Sequence, residues 1–242
     1  MVLSCDHLQG ICTLETLEED IDTTFNNDNH PRLVYVGDPM CSWCWGLSPI
    51  LKQIQDYCKQ NDLTFSLILG GLRPGGGDAW TETFKNFLKN EWERIAIVTG
   101  QKFVFDLLSK DFFNYDTEPA CRAVAVSRKL LIENKTKEHS LLHFFSSIQN
   151  KFYAFGQDPT DIYFYKDLCE HYEIDFEEFK HHFNDIKTKK ELLHEFHIAR
   201  QIMIKGMPFV GLYHKGTLHQ ITLNHKSIDL IKKSIQTILN KE

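Results

Sequence analysis

Apolar residues follow a strand pattern, then a helix pattern, then a strand pattern in the first third of the chain. Residues 33–37 and 64–69 are short apolar runs of strand length. Between them, residues 41–60 place apolar side chains every three or four positions, which predicts a helix with one apolar face. This order predicts a βαβ unit whose two strands are parallel.

The middle of the chain has a helical pattern throughout. A Gly-rich break at 73–77 precedes it, and Thr117 or Asp116 is the expected N-cap of a helix that has Pro119 in its first turn. Apolar residues recur at helical spacing in six segments: 80–92, 117–132, 141–155, 162–172, 176–183 and 189–204. Because no strand-type alternation interrupts them, we expect residues 74–188 to form a helical domain.

The last part of the chain predicts a hairpin and a closing helix. Residues 209–213 and 217–223 are two β-type runs around Gly216, and residues 228–239 are amphipathic. The two ends of the chain then share one α/β domain, residues 31–73 and 189–242, with a four-stranded sheet and helices on both faces. The helical domain is an insertion between the βαβ and ββα halves.

Charge and cysteine content narrow the classes of function. Residues 1–30 carry seven acids and no Lys or Arg, and we expect an acidic tail there, or a short helix near 13–24. This composition is the opposite of an export signal, so the seven Cys are expected to be mostly free thiols in the cytoplasm. A net charge of −6 argues against nucleic-acid binding, and no apolar run approaches the about 20 residues of a membrane span.

The strongest chemical signal is the C-x-x-C pair Cys41 and Cys44, which follows a strand and opens a helix. The unpaired N–H groups and the dipole at a helix N-terminus stabilise a thiolate, so Cys41 is the expected nucleophile. Cys44 lies one turn further, about 5–6 Å away between Cβ atoms, and is the expected resolving thiol. Exchange would pass through a mixed disulfide with the substrate.

The same pair is also compatible with a zinc site or with chance packing. A structural zinc site usually needs a second pair of ligands, but Cys58, Cys121 and Cys169 are isolated in the sequence. A C-x-x-C beside a βαβ pattern favours redox chemistry, so no metal is predicted. Met207-Pro208 supports the redox prediction: a cis-proline facing the pair would leave nearby backbone free to bind an extended substrate. The alternative is a trans proline at the start of a strand.

Four motifs occur in order along the chain: Asp38-Pro39-Met40-Cys41-Ser42-Trp43-Cys44-Trp45-Gly46, Gly70-Gly71-Leu72-Arg73-Pro74-Gly75, Asp116-Thr117-Glu118-Pro119-Ala120-Cys121-Arg122-Ala123 and Gly206-Met207-Pro208. Together they resemble the DsbA family of the thioredoxin superfamily, and more narrowly its cytosolic, FrnE-like protein-disulfide isomerases. The resemblance covers about residues 32–240 and implies a thioredoxin-like fold with a helical insertion. It implies a thiol–disulfide oxidoreductase or isomerase, monomeric or homodimeric, that acts on protein thiols or small thiols. No cofactor is implied beyond the redox-active disulfide, with glutathione as a candidate co-substrate.

The chain also departs from the family pattern around the pair. Met207 stands where the superfamily usually has Val, Thr or Ile, and Ser42 of the Ser-Trp dipeptide can donate a hydrogen bond to a thiolate. Tyr35 stands where thioredoxin-like members have a buried acid. Asp38 is the nearest acid instead, either accepting the proton of the resolving thiol or serving as a turn residue before Pro39.

Further residues are substrate-binding candidates, each with a structural alternative. Trp43 and Trp45 flank the pair and would form an aromatic wall, although Trp45 could equally pack within the helix. Arg73 would bind a glutathione carboxylate or simply lie at the surface. Glu118 and Arg122 would line the cleft from the helical domain, or pair locally as i, i+4 neighbours.

Two other classes of function are compatible with the sequence. One is a kappa-like glutathione-dependent transferase or isomerase, whose members often have Ser at the first Cys position. The other is a non-catalytic, protease-adaptor-like binding protein that keeps the fold and uses surface helices. Replacing Cys41 with Ser separates the redox enzyme from the adaptor, because only the enzyme loses its activity.

Overall fold

The computed structural model describes residues 3–6, 11–14, 30–133, 140–203 and 206–240. The strands are β1 Leu3–Asp6, β2 Ile11–Leu14, β3 Arg32–Gly37, β4 Thr64–Leu69, β5 Phe209–His214 and β6 Thr217–Gln220. The helices are α1 Ser42–Gln60, α2 Glu82–Thr99, α3 Glu118–Glu133, α4 Ser140–Phe155, α5 Lys166–His171, α6 Phe176–Asn184, α7 Ile186–Ile202 and α8 Asp229–Leu239. Two 3-10 turns lie at Asp106–Ser109 and Ile162–Tyr165.

The larger sheet has the strand order β4-β3-β5-β6. β3 and β4 are parallel, as the βαβ pattern predicts, while β5 is antiparallel to both β3 and β6. The β5–β6 turn contains Lys215 and Gly216, both with positive φ, which suits a tight hairpin. The predicted α/β class is therefore confirmed.

Alternate residues of β3 face two different layers of helix. Leu33 and Tyr35 belong to the main core together with buried residues of α1 and α8. Val34 and Val36 face the other way and share a smaller cluster with Ala199 of α7. The side-chain period of two in a strand produces this division. All four β3 side chains are fully buried, so the central strand lies between two helical layers.

The helices between β4 and β5 pack directly on the first half of the fold. Helix α1 contacts α2 and α4, while α3 contacts α4, α6 and α7. One continuous core runs from the sheet through α1 into the helical region. This packing places α3 and α4 beside the helix that begins with the C-x-x-C pair. The boundary predicted at residue 189 falls inside α7, which already begins at Ile186.

The structure differs from the sequence prediction in three places. Residues 11–14 form β2, antiparallel to β1, where a tail or a helix was expected, because four-residue strands are too short to show a clear period. The rest of that expected helix, with the side chains of Cys5 and Cys12, lies outside the described residues. The helix predicted at 162–172 is a 3-10 turn followed by α5, and β6 ends at Gln220 rather than 223.

Candidate active site

Cys41 is the N-cap residue of α1 and has extended backbone angles, φ −87° and ψ 118°. Its N–H donates to the Asp38 carbonyl at 3.0 Å, and its carbonyl accepts from the Trp45 N–H at 3.0 Å. The thiol makes no capping bond, so the first N–H groups of α1 keep their positive potential toward this end of the helix. Cys41 is 5% exposed, so a small part of this residue is accessible from the surface.

Cys44 lies one turn further along α1 and is fully buried. The two cysteines are free thiols in the structure. Burial raises the pKa of the Cys44 thiol well above its usual value, and interaction with Cys41 raises it further. The Tyr35 side chain and the Asp38 backbone act in the opposite direction. The site therefore has one sulfur near the surface and a second, protonated sulfur held beneath it.

Asp38 directly follows β3 and is completely buried. Its Oδ1 accepts from the Met40 N–H at 2.7 Å, and its Oδ2 accepts from the Leu72 N–H at 2.7 Å and from the Cys121 thiol at 3.3 Å. Burial raises the pKa of this carboxyl. These bonds are those of the turn residue that the sequence offered as the alternative to a proton acceptor. Cys44 meets the backbone of Asp38, whereas the carboxylate faces other donors.

The carbonyl of Met40, directly before Cys41, accepts two phenol hydroxyls. Tyr115 donates at 2.9 Å and Tyr153 at 2.5 Å, and the two hydroxyls are 3.2 Å apart. All three residues are buried, so these bonds hold the peptide that leads into the nucleophile. Sequence reasoning missed both tyrosines, because they lie 75 and 113 residues from Met40 and carry no local signal.

Met207 and Pro208 lie at the same end of the sheet as Cys41. β5 begins directly after them with Phe209, which pairs with Val36 near the end of β3. The Met207–Pro208 peptide bond is cis. The Met207 side chain packs on Gly70, where a Cβ atom would overlap the Met207 sulfur. In this conformation, the Met207 side chain therefore occupies the space beside Gly70 that a Cβ atom would fill.

The two tryptophans beside the pair have different surroundings. Trp43 is partly exposed and packs edge-on against His225, with 5.0 Å between ring centroids, while the Arg94 guanidinium lies 5.0 Å from its ring centroid. Trp45 is 7% exposed, and its indole N–H donates to the Lys102 carbonyl at 3.1 Å. Trp43 can thus border a substrate, but the contacts of Trp45 are those of a packing residue. Ser42, the first residue of α1, is partly buried.

Arg73 is held in the loop after β4. Its guanidinium pairs with Asp78 and lies 5.0 Å from the ring centroid of Phe84. The backbone N–H of Arg73 donates to the Thr117 hydroxyl at 3.0 Å. The side chain remains 27% exposed, so part of it is still accessible to solvent.

Glu118 and Arg122 form the local pair on α3 that the sequence offered as the structural alternative, with 3.0 Å between Oε2 and Nη2. Arg122 also donates to the Phe183 carbonyl at 2.8 Å and lies over the Phe183 ring. Burial raises the pKa of Glu118, and the charge of Arg122 partly offsets this. These contacts join α3 to α6 within the helical region.

Two other features, a cluster of metal ligands and a membrane-spanning helix, are absent among the described residues. Across residues 30–133, 140–203 and 206–240, no three His, Cys, Asp or Glu side chains come together as a metal site. Within the same ranges, no helix has the length and apolar character needed to cross a bilayer.

A solved structure from Nitrosomonas europaea, provisionally described as a protein disulfide isomerase, is 30% identical in sequence. The match covers 87% of this chain and 98% of that chain, with a TM-score of 0.75. The chain belongs to the DsbA-like family. The family resemblance and the thioredoxin-like fold predicted from the four motifs are therefore confirmed.

A second DsbA-like neighbour is the cytosolic disulfide reductase DsbM from Pseudomonas aeruginosa. It is 25% identical over 86% of this chain and 98% of that chain, with a TM-score of 0.68. Another structure of DsbM, 22% identical over 87% and 100% of the two chains with a TM-score of 0.66, contains GSH. No family model and no curated protein matches the chain.

The activity shared by these DsbA-like neighbours is disulfide exchange, which supports thiol–disulfide oxidoreductase activity for this chain. The kappa-like transferase and the protease-adaptor alternatives are not favoured by them.

Proposed function

We propose that this protein exchanges disulfides with Cys41 as the nucleophile and Cys44 as the resolving thiol. The supporting observation is the placement of the two sulfurs one helical turn apart on α1. Cys41 lies at the helix N-terminus and is 5% exposed, whereas Cys44 is fully buried beneath it. A substrate can contact the Cys41 sulfur, whereas the buried Cys44 sulfur can form a disulfide only with Cys41.

The proposed reaction has two balanced steps. The Cys41 thiolate attacks one sulfur of a disulfide R–S–S–R′, forming a Cys41–S–S–R bond and releasing R′–S⁻, which takes a proton. Cys44 then attacks the Cys41 sulfur, its proton passes to the departing R–S⁻, and a Cys41–Cys44 disulfide remains. The substrate is reduced by two electrons, and two molecules of a small thiol restore the dithiol by the same steps in reverse.

Glutathione is the proposed small thiol, together with protein disulfides as the larger substrates. A DsbM structure contains GSH, and DsbM is named a cytosolic disulfide reductase, which supports this co-substrate and a cytoplasmic location here. On this chain, Trp43 offers an aromatic face beside Cys41, with the Arg94 cation next to it. An extended substrate would pair with the backbone at Met207, and the partly exposed Arg73 side chain is a candidate for binding a glutathione carboxylate.

The proposal is tested by the redox equilibrium of each cysteine in glutathione buffers, read by alkylation and mass spectrometry. We expect one two-electron transition confined to Cys41 and Cys44. Its midpoint, compared with a cytosolic poise of roughly −220 to −320 mV, gives the direction of exchange. Cys58 and Cys169 are internal controls that should stay reduced, because burial raises the pKa of each thiol to about 12.

Variants of the pair complete the test. Cys41→Ser should abolish reduction of glutathione disulfide, whereas Cys44→Ser should accumulate a mixed disulfide on Cys41. Cys169→Ser should behave like the parent chain. If the pair forms no disulfide at any poise, the redox function is wrong, and the transferase and adaptor alternatives return.

A further inference from the structure

Tyr35 is a buried titratable residue that the two proposed steps do not use. It lies in the middle of β3, opposite Leu67 of β4 and Val210 of β5. Its side chain is fully buried and meets Phe145 edge-on at 6.1 Å. A tyrosine in the central strand therefore extends its hydroxyl into the main core rather than to solvent.

The Tyr35 hydroxyl has an unused capacity to donate. Within the part of the chain that the structure describes, it makes no complete hydrogen bond, although buried hydroxyls are nearly always paired. The group it faces is the Cys44 thiol, with which it interacts directly. A neutral thiol is a weak acceptor, but a thiolate is a strong one, so a full bond forms only when Cys44 ionises.

The local backbone leaves room for the phenol. A Cβ atom on Gly37 would overlap the Tyr35 hydroxyl, so the absence of a side chain at position 37 allows the ring to reach its place. This glycine lies at the end of β3, directly before the turn that leads to the pair.

Three other polar side chains near the pair, those of Asp38, Tyr115 and Tyr153, are already engaged. Both carboxylate oxygens of Asp38 accept bonds from donors other than Cys44. The hydroxyls of Tyr115 and Tyr153 both donate to the Met40 carbonyl. Among these neighbours, Tyr35 is the hydroxyl with a free proton to offer Cys44.

We propose that Tyr35 is a catalytic residue of the second step, in which its O–H donates a hydrogen bond to the Cys44 thiolate. The inference rests on the proposed function. As the Cys44 thiol loses its proton and attacks the Cys41 sulfur, the phenol keeps its own proton and stabilises the negative charge that develops on Cys44. The Cys41–Cys44 bond forms as the bond between Cys41 and the substrate sulfur breaks, the proton from Cys44 goes to the departing substrate thiolate, and the donor is released. In the reverse direction, Tyr35 stabilises Cys44 as the leaving thiolate.

Burial fits the role of a donor rather than that of a base. It raises the pKa of the Tyr35 phenol well above its usual value, and the neighbouring thiols raise it further. The phenol therefore stays protonated through the cycle. The same interaction lowers the pKa of Cys44 against the much larger effect of burial.

The test is Tyr35→Phe, which removes the hydroxyl and keeps the ring. A mixed disulfide of Cys41 with glutathione is formed by a single addition of glutathione disulfide, and its conversion to the Cys41–Cys44 disulfide is followed by rapid quench and mass spectrometry. We expect this conversion to slow by about 10- to 100-fold, the loss of one hydrogen bond to a charged sulfur. Its pH profile should also shift upward, because the Cys44 thiolate loses its donor.

Two controls separate this effect from general damage. In a Cys44→Ser background, Tyr35→Phe should leave the first step at Cys41 unchanged. Tyr165→Phe is the matched variant: this phenol is also fully buried, but its hydroxyl donates to the Pro159 carbonyl. Tyr165→Phe should resolve the mixed disulfide at the parent rate.

Failure of the Tyr35 role and failure of the proposed function give different results in this experiment. If Tyr35→Phe resolves the mixed disulfide at the parent rate with the parent pH profile, the role of Tyr35 is wrong and the proposed function stands. If the parent itself forms no mixed disulfide, the proposed function fails and the inference fails with it. Should Tyr35→Phe not fold, a fluorotyrosine at position 35 is a stronger donor that should speed resolution, and an unchanged rate would refute the role.

Discussion

Trp43 and His225 meet edge-to-face, with 5.0 Å between their ring centroids. The contact joins the start of α1 to the segment between β6 and α8, two parts of the chain separated by the whole helical insertion. His225 is partly buried, and burial lowers the pKa of its imidazole. The ring that borders Trp43 is therefore held in its neutral form more strongly in the folded protein than in the unfolded chain.

This difference predicts a pH-dependent stability. Below the usual His value of 6.5 the unfolded state protonates first, so the free energy of unfolding should fall as the pH falls through 6.5 toward the lowered value. His225→Gln should remove this part of the pH dependence, measured by urea unfolding between pH 5 and 8. His194→Gln, at an exposed position on α7, should keep the parent dependence. Identical curves for the parent and His225→Gln would contradict the prediction.

Asp38 should contribute to the free energy of unfolding, because its buried carboxylate acts only as an acceptor in its hydrogen bonds. Asp38→Asn places an amide N–H₂ against either the Met40 or the Leu72 N–H, so at least one bond is lost. We expect a loss of about 1–3 kcal/mol in the free energy of unfolding. Denaturant titration measures it, with Asp111→Asn at an exposed position as the control. An unchanged denaturation midpoint for Asp38→Asn would contradict the prediction, because the turn would then tolerate the loss of a hydrogen bond to this carboxylate.

Tyr115 and Tyr153 donate to the same carbonyl, so the effects of removing their hydroxyls on the free energy of unfolding should not be additive. Removing either hydroxyl leaves the Met40 carbonyl with one donor, at a cost of about 1 kcal/mol. Removing both leaves a buried carbonyl unsatisfied, so the double Phe variant should lose more than the sum of the two single variants. Unfolding of the four proteins in the cycle gives the coupling, and simple additivity would contradict it.

Arg122 is expected to act on stability and not on exchange. Arg122→Met removes the partner of Glu118 and the bond to the Phe183 carbonyl, leaving a half-buried carboxylate unpaired. Loss of one partner from such a pair destabilises a protein by about 3–5 kcal/mol when it is fully buried, and less here because Glu118 is partly exposed. The KM for glutathione disulfide should stay at the parent value. A raised KM would instead support the cleft-lining role predicted from the sequence.

Local patterns were sufficient to predict the elements that surround the pair. The strand, helix and strand from β3 to β4 have clear periods, and Met207-Pro208 marks the start of β5 without any long-range information. β1 and β2 were missed because each has only four residues, too few to distinguish alternation from chance. The two tyrosines on the Met40 carbonyl come from distant helical segments, and no spacing rule connects them.

The two tryptophans show a signal that sequence reasoning could have used. Trp43 and Trp45 are two positions apart on α1, and residues at that spacing do not face the same side of a helix. One of them had to point toward the core, and the structure shows that Trp45 does so. The burial of its side chain follows from the phase of the helix, whereas its bond to the Lys102 carbonyl, 57 residues away, does not.

Gly70 and Met207 share a single volume at the edge of the site, although they are far apart in sequence. Because a Cβ at position 70 would overlap the Met207 sulfur, alanine at 70 requires the end of the Met207 side chain to move or to be smaller. Substitutions at positions 70 and 207 should therefore depend on each other. A smaller side chain at 207 would open space for alanine at 70, so the space where β4 ends and β5 begins is set jointly by both residues.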